Sequence, residues 1–179
     1  MMNERDILEL TRGEGFSAVA LIGMDEVVFD PAFRPFCEQN LCGKYGANYS
    51  CPPDCGTPAE MEARMRRYAR ALVFQTRWAI DDWRDEAQIT HAKKTHNGAM
   101  MRVIERMRQR GLEGLMGGAS GCCLCERCAA LDHGPCPLPE LRFSCLSAYC
   151  IHVRRLAETC GMEYVCADGS LAFFGLYAF

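Results

Sequence analysis

Short apolar segments alternate with helical patterns along the chain. Residues 17–22 and 26–29 are apolar and rich enough in β-branched side chains to predict two short strands, joined as a hairpin by a turn at 23–25. Three further strands are predicted by the same criterion, at 71–76, 163–166 and 171–177.

Three helices are predicted from capping residues and helical periodicity. The first begins at residues 57–60, where Thr can cap, Pro suits the first turn and Glu occupies the capping-box position. The second covers 84–110 and ends at Gly111, and the third covers about 147–160, with Gly161 just past its end. Apolar residues recur at helical spacing at Met61, Met65, Tyr68 and Leu72, and at Met100, Val103, Ile104 and Met107.

Strands that alternate with helices predict an α/β or α+β fold, in which helices cover a small sheet. The chain has 179 residues and 49% hydrophobic content, enough for one sizeable core. We therefore expect a single layered domain over residues 1–179, with two cysteine-rich metal-binding loops at about 37–55 and 122–136.

Charge and hydropathy narrow the partners that we expect. The net charge is -3, and basic residues are scattered among acidic ones, so no single-sign surface is predicted for nucleic acid. Residues 1–16 lack a basic segment followed by a long apolar stretch, and no apolar run is long enough to span a bilayer. We expect a soluble cytoplasmic protein that binds no nucleic acid and has no membrane span.

Cysteine is strongly over-represented, with 13 residues. An odd number argues against a fully paired disulfide framework, and close spacing in a cytoplasmic protein favours metal or redox chemistry. Cys160 and Cys166 lie in apolar segments and are expected to be core residues, because a free cysteine packs as a small hydrophobic side chain. The remaining cysteines form two groups separated by the cysteine-free stretch 56–121.

The later group predicts an iron–sulfur loop. Cys122, Cys125 and Cys128 follow the spacing C-x2-C-x2-C, and Cys136 comes next, directly before Pro137. The pattern is close to the bacterial ferredoxin run, in which one curled loop reaches several corners of a cuboidal [4Fe-4S] cluster. A structural zinc site prefers two cysteine pairs about a dozen residues apart, so zinc is an alternative that fits poorly, and unmetallated thiols are a third.

Two other side chains belong to this segment. Cys123 is expected to point away from the cluster and to be a spare thiol. His133 lies between the third and fourth cysteines. It is expected to be a solvated loop residue, with a hydrogen bond to a cluster sulfur or direct ligation as alternatives.

The earlier group contains Cys37, Cys42, Cys51 and Cys55, with the spacing C-x4-C-x8-C-P-P-x-C. The surrounding segment has no helical periodicity. Its spacing matches no familiar zinc or ferredoxin pattern closely. A second [4Fe-4S] cluster, a zinc site, and structural or reactive thiols therefore all stay open.

The chain also resembles a cysteine-rich family of predicted metal-binding proteins of unknown function, over most of its length. The resemblance implies metal binding, with iron–sulfur clusters as the expected metal, at both cysteine groups, and it implies no substrate. The family pattern has Gly where Cys150 stands, which leaves Cys150 as an extra thiol near a cluster. The residues that carry the resemblance are 42–53, 122–128, 136–137, 142–144, 148–149 and 173–176.

Three functions are compatible with these features. The first is an electron-transfer or redox-accessory protein with one or two [4Fe-4S] clusters in a reducing, anaerobic cytoplasm, and its partner would be a redox protein. The second is an enzyme with an open iron for a small-molecule substrate, with Arg142, Asp132 and His133 as candidate polar groups. The third is a zinc-stapled interaction module. No dinucleotide fingerprint or phosphate loop is present.

Overall fold

The computed structural model describes residues 2–80, 82 and 84–179, and it has a mixed α/β architecture around one open sheet. The strand order is β1-β2-β5-β3-β4. All neighbouring strands pair antiparallel except β3 and β4, which pair in parallel. The strands are β1 (Ala18–Gly23), β2 (Arg70–Trp78), β3 (Leu115–Gly118), β4 (Ser144–Cys145) and β5 (Leu171–Ala178). The expectation of a layered α/β or α+β fold with a small sheet is confirmed.

Five α-helices surround this sheet in the described part of the chain. None of them is long and apolar enough to cross a membrane. Short 3-10 turns lie at residues 24–26, 31–33 and 129–132. The helices are α1 (Glu4–Glu9), α2 (Arg34–Glu38), α3 (Pro58–Met65), α4 (Glu86–Arg108) and α5 (Val153–Thr159).

Strand β2, which lies between β1 and β5, has apolar side chains on both faces. Leu72 and Phe74 face α4, while Ala71 and Val73 face α3 and the segment 146–157. Because side chains alternate along a strand, a continuous apolar run in β2 produces two cores. The core on the α4 side includes Met100, Val103, Ile104 and Met107, and the opposite core includes Met61, Met65, Leu146 and Leu156.

The start of α3 shows the capping chemistry that the sequence predicted. Thr57 Oγ1 accepts a hydrogen bond from Glu60 N at 3.3 Å, and Glu60 Oε2 accepts one from Thr57 N at 2.8 Å, which completes the capping box of α3. Asp85 caps α4 by accepting from the backbone N–H groups of Ala87 and Gln88. The predicted helix 84–110 is therefore confirmed as α4, with Gly111 in the left-handed region at φ 80°.

Two predicted strands are absent from the structure. Residues 24–26 form a 3-10 turn, and the following segment makes only an isolated bridge between Phe29 and Ile151. Strand β1 pairs with β2 instead of forming a hairpin. Residues 163–166 contain bends rather than a strand; Tyr164 and Val165 are exposed, and no strand ladder in the described part of the chain includes this segment.

The predicted helix boundaries also need two corrections. Helix α3 ends at Met65, so Tyr68 follows the helix and Leu72 belongs to β2. The helix predicted at 147–160 begins only at Val153. Cys150 has a φ of 57°, which is incompatible with a right-handed helix, so residues 147–150 form turns instead.

Candidate metal centres

The loop that carries the later cysteines starts at the end of β3 and is fixed there by α4. Asn97 of α4 is fully buried, and its Oδ1 accepts from Ala119 N at 2.9 Å while its Nδ2 donates to Ser120 Oγ at 3.0 Å. A Cβ at Gly118 would lie 2.9 Å from Asn97 Oδ1, so only glycine allows this close approach. The rigid helix and sheet therefore determine where the cysteine loop begins.

The four later cysteines line one cleft. Their spacing in the sequence predicts a loop but does not determine this arrangement. The cleft is partly open to solvent and holds a cavity of about 30 Å³. Much of the rest of its wall is apolar and includes Leu124, Pro137 and Leu138. The cysteines are Cys122, Cys125, Cys128 and Cys136, and each is partly exposed.

Residues of the earlier cysteine loop complete this cleft. Asn48, Tyr49 and Ser50 form part of its wall. The Tyr49 hydroxyl donates to the Gly134 carbonyl, which ties the two loops together across 85 residues of sequence. A Cβ at Gly121 would lie 3.1 Å from Cys51 Sγ, so the start of the later loop packs directly on a cysteine of the earlier one.

The charged residues of the later loop divide into two sets. Arg142 lines the cleft, and its guanidinium lies 5.7 Å from the centre of the Tyr49 ring. Asp132 and His133 do not line the cleft. Asp132 accepts two hydrogen bonds from Arg127, which lower the pKa of its carboxyl, and His133 is an exposed residue at φ 53°.

Cys123 lies outside the set of cysteines that line the cleft. Burial raises the pKa of its thiol, while the side chains of Lys94 and Asn97 on α4 oppose that increase. Its location next to α4 is compatible with the expectation of a spare thiol.

The earlier cysteines lie closer to the protein core. Cys51 and Cys55 are buried, Cys37 is partly exposed at the end of α2, and Cys42 is exposed. Burial raises the pKa of the thiols of Cys37, Cys51 and Cys55. Cys37 and Cys51 each lie close enough to interact electrostatically with the other three members of the group.

The turns between these cysteines use local hydrogen bonds. Asn40 Oδ1 accepts from Tyr45 N at 2.9 Å, and Asn48 Oδ1 accepts from Ser50 N at 2.9 Å. Gly43 and Gly46 have φ values of 66° and 64°, where a side chain is strained. Glycine and asparagine therefore curl the loop, so that cysteines distant in sequence occupy one region.

Two cysteines from a distant segment join the earlier group. Cys145 interacts electrostatically with Cys37 and Cys51, and its sulfur accepts from Ala148 N at 3.4 Å. Burial raises the pKa of the Cys145 thiol to about 12. Cys150 is 1% exposed and interacts with Cys37. Its backbone has a left-handed φ of 57°, a conformation that favours Gly over residues with a side chain.

Arg34 of α2 connects these segments and was not identified from the sequence. Its Nη1 donates to Gly56 O at 3.0 Å and lies 4.0 Å from Cys55 Sγ, and its Nη2 donates to Ala148 O at 2.9 Å. Burial lowers the pKa of the guanidinium, but the contacts with Cys150 and Cys55 raise the pKa by more, so the net shift is upward. No local pattern signals this role, because the partners lie 21 to 114 residues away.

Both cysteine groups offer the donor chemistry of a metal site, four thiols each. Thiolates are the ligands that zinc and iron–sulfur clusters share. Across residues 2–80, 82 and 84–179, no three or more His, Cys, Asp or Glu side chains stand in an arrangement that could hold a metal ion. The cysteines of each group therefore lie in one region of the fold but do not form a complete coordination shell. Cys160 and Cys166, as expected, pack as core or near-core residues.

Comparison with known proteins gives one result. No curated protein and no solved structure matches the chain. A family model described as predicted metal-binding protein (DUF2284) matches residues 20–177, a range that includes all 13 cysteines. The chain therefore belongs to this family of predicted metal-binding proteins.

Proposed function

We propose that the protein is an iron–sulfur protein that acts in electron transfer or as a redox accessory protein. One [4Fe-4S] cluster is held by Cys122, Cys125, Cys128 and Cys136. A second is held by the earlier group, Cys37, Cys42, Cys51 and Cys55. The observation that carries the proposal is that all four cysteines of the ferredoxin-like run line a single cleft.

The surroundings of the later cysteines suit this role. Leu124, Pro137 and Leu138 give the cleft an apolar wall, and the Tyr49 hydroxyl donates a hydrogen bond to the Gly134 carbonyl. A bound [4Fe-4S] cluster supplies single-electron chemistry at a potential that hydrogen bonds and solvent exposure adjust. Because the cleft is partly open, a redox partner can approach its cysteines directly.

The contact between the two loops supports transfer between two centres. Gly121 directly precedes the first cysteine of the later group and packs against Cys51 of the earlier group. Tyr49, two residues before Cys51, belongs to the wall of the later cleft. Electrons that enter at the exposed cleft would therefore need to cross only the shared wall to reach the more buried group.

Arg142 favours a second candidate, an enzyme with an open iron. Its exposed guanidinium lines the same cleft and could bind an anionic small-molecule substrate. Under this alternative, a small thiol or carboxylate changes the EPR spectrum, and Arg142→Leu removes the change. A spectrum that does not respond to either ligand supports the carrier.

The proposal is tested on full-length protein purified without oxygen and reconstituted with iron and sulfide. We expect a brown protein with broad thiolate-to-iron charge-transfer absorption in the visible region. Cys125→Ser removes about half of that absorption, and Cys160→Ala, a change outside both groups, leaves it intact. Colourless protein that carries stoichiometric zinc after reconstitution contradicts the proposal and favours the zinc-stapled module.

A further inference from the structure

Arg34 places a positive charge inside the protein, next to the earlier cysteines. The residue is 8% exposed. Its two terminal nitrogens donate to the backbone carbonyls of Gly56 and Ala148. Its Nε is buried without a hydrogen-bond partner in the described part of the chain.

Within the part of the chain that the structure describes, no carboxylate forms an ion pair with this charge. The ion pairs among residues 2–80, 82 and 84–179 use other arginines, and Arg34 takes part in none of them. The side chains that do reach its guanidinium are the thiols of Cys55 and Cys150. A neutral thiol is a weak acceptor and does not compensate a cation.

An uncompensated buried cation is expensive, and the cost persists unless an anion lies beside it. A metal centre with four thiolate ligands carries a net negative charge, because the thiolates outweigh the charge of zinc or of an oxidised [4Fe-4S] core. Cys55 belongs to the predicted ligand set. A metal at the earlier group would therefore supply the anion that Arg34 lacks.

We propose that Arg34 is the counter-charge of an anionic metal–thiolate centre at the earlier cysteine group. The inference rests on the proposed metal binding at that group, and it adds how the fold selects the metal-loaded state. Arg34 is a positioning residue that acts through Cys55. Its hydrogen bonds to the carbonyls of Gly56 and Ala148 link the loop at residue 56 to the segment at residue 148.

The test separates the charge of Arg34 from its hydrogen bonds. Arg34→Lys keeps the charge. Arg34→Gln removes the charge but keeps an amide group that can donate a hydrogen bond. Both are made in full-length protein that also carries Cys125→Ser and Cys128→Ser, so that the earlier group dominates the signal. Cobalt(II) is titrated into each metal-free protein, and its thiolate charge-transfer band is followed in competition with a chelator.

We expect Arg34→Gln to weaken cobalt binding at least about 10-fold, the usual effect of losing an outer-shell partner. Arg34→Lys should stay within about 3-fold of the parent, because it retains the charge, although it loses the paired contacts to the carbonyls of Gly56 and Ala148. Arg12→Gln is the matched control, since the exposed Arg12 side chain pairs with Glu9 at 2.9 Å. It should also stay within about 3-fold.

The inference is wrong if Arg34→Lys and Arg34→Gln weaken cobalt binding equally, or if Arg34→Gln does not weaken it. Either result leaves metal binding at the earlier group intact. A parent protein that gives no thiolate charge-transfer band contradicts the metal centre itself, so the two failures are distinguishable. If Arg34→Gln does not fold without metal, the iron-loaded full chain provides the second measurement. There, Arg34→Gln should lower the reduction potential of the earlier centre below that of Arg34→Lys, and equal potentials overturn the inference.

Discussion

The sheet with α4 and the cysteine loops are stabilised in different ways. Strand β2 pairs with β5 along residues 71–78, and Leu72, Phe74, Met100 and Met107 of the adjoining core are fully buried. Residues 39–56 and 119–143 contain turns, bends and one 3-10 segment, without a strand or an α-helix. The first region is stabilised by strand pairing and core packing, whereas the second depends on a few hydrogen bonds and, by our account, on metal.

Metal removal should have the largest effect, and it should change the cysteine loops more than the sheet and α4. A metal bound a thousand-fold above its dissociation constant adds about 4 kcal/mol to the free energy of unfolding. Chelation should therefore reduce stability by about that amount. Hydrogen exchange on the chelated protein should show lost protection at 39–56 and 119–143 and retained protection in β2 and α4.

The proposed difference between the two regions is wrong if chelation reduces hydrogen-exchange protection equally in both regions or in neither. Equal loss would mean that the loops hold the sheet together. No loss would mean that hydrogen bonds such as that of Tyr49 to Gly134 suffice to order the loops.

Acid should weaken the packed region through His96. The imidazole is fully buried against Thr76, with Nδ1 at 2.9 Å from Thr76 Oγ1, and burial lowers its pKa from 6.5 to about 4. Between those values the unfolded chain binds a proton that the folded chain does not. Stability is therefore complete above pH 6.5 and falls by about 3 kcal/mol as the pH drops to 4.

The measurement is urea unfolding of metal-free protein between pH 7 and 4, so that ligand protonation does not contribute. His96→Gln should flatten the profile over this range. If the variant and the parent show the same slope, His96 is not the group responsible.

The junction between the two regions should give the smallest effect. Asn97→Ala leaves the backbone N–H of Ala119 without its acceptor and removes the bond to Ser120, at a cost of about 2 kcal/mol. It should also weaken metal binding at the later group, because the start of the loop is released. Thr95→Ala, an exposed change two residues away on α4, is the control and should alter neither quantity. Unchanged metal binding in Asn97→Ala would show that α4 does not position the loop.

The sequence predicted the elements with strong local signals. The capping box at Thr57 and Glu60 and the apolar period of α4 determine those helices without help from distant residues. Strands β2 and β5 were identified by their continuous apolar runs. In contrast, β3 and β4 were missed, because they are short and are defined by their neighbours in the sheet.

The candidate site was predictable as a set of cysteines but not as an arrangement. Local spacing identified Cys122, Cys125 and Cys128 as a loop. It could not reveal that residues 48–50 form the wall of the same cleft. Arg34 and Cys145 were missed because their contacts cross many residues of sequence, and such long-range contacts leave no pattern in a single chain.

The most direct test of the account is a count of iron, zinc and acid-labile sulfide per chain after anaerobic reconstitution. It compares the parent with the double variant Cys42→Ser, Cys51→Ser. If each cysteine group holds one like cluster, the double variant should retain about half of the iron and sulfide of the parent. Unchanged iron in the double variant would contradict a cluster at the earlier group. Zinc without sulfide in the parent would contradict the iron–sulfur account as a whole.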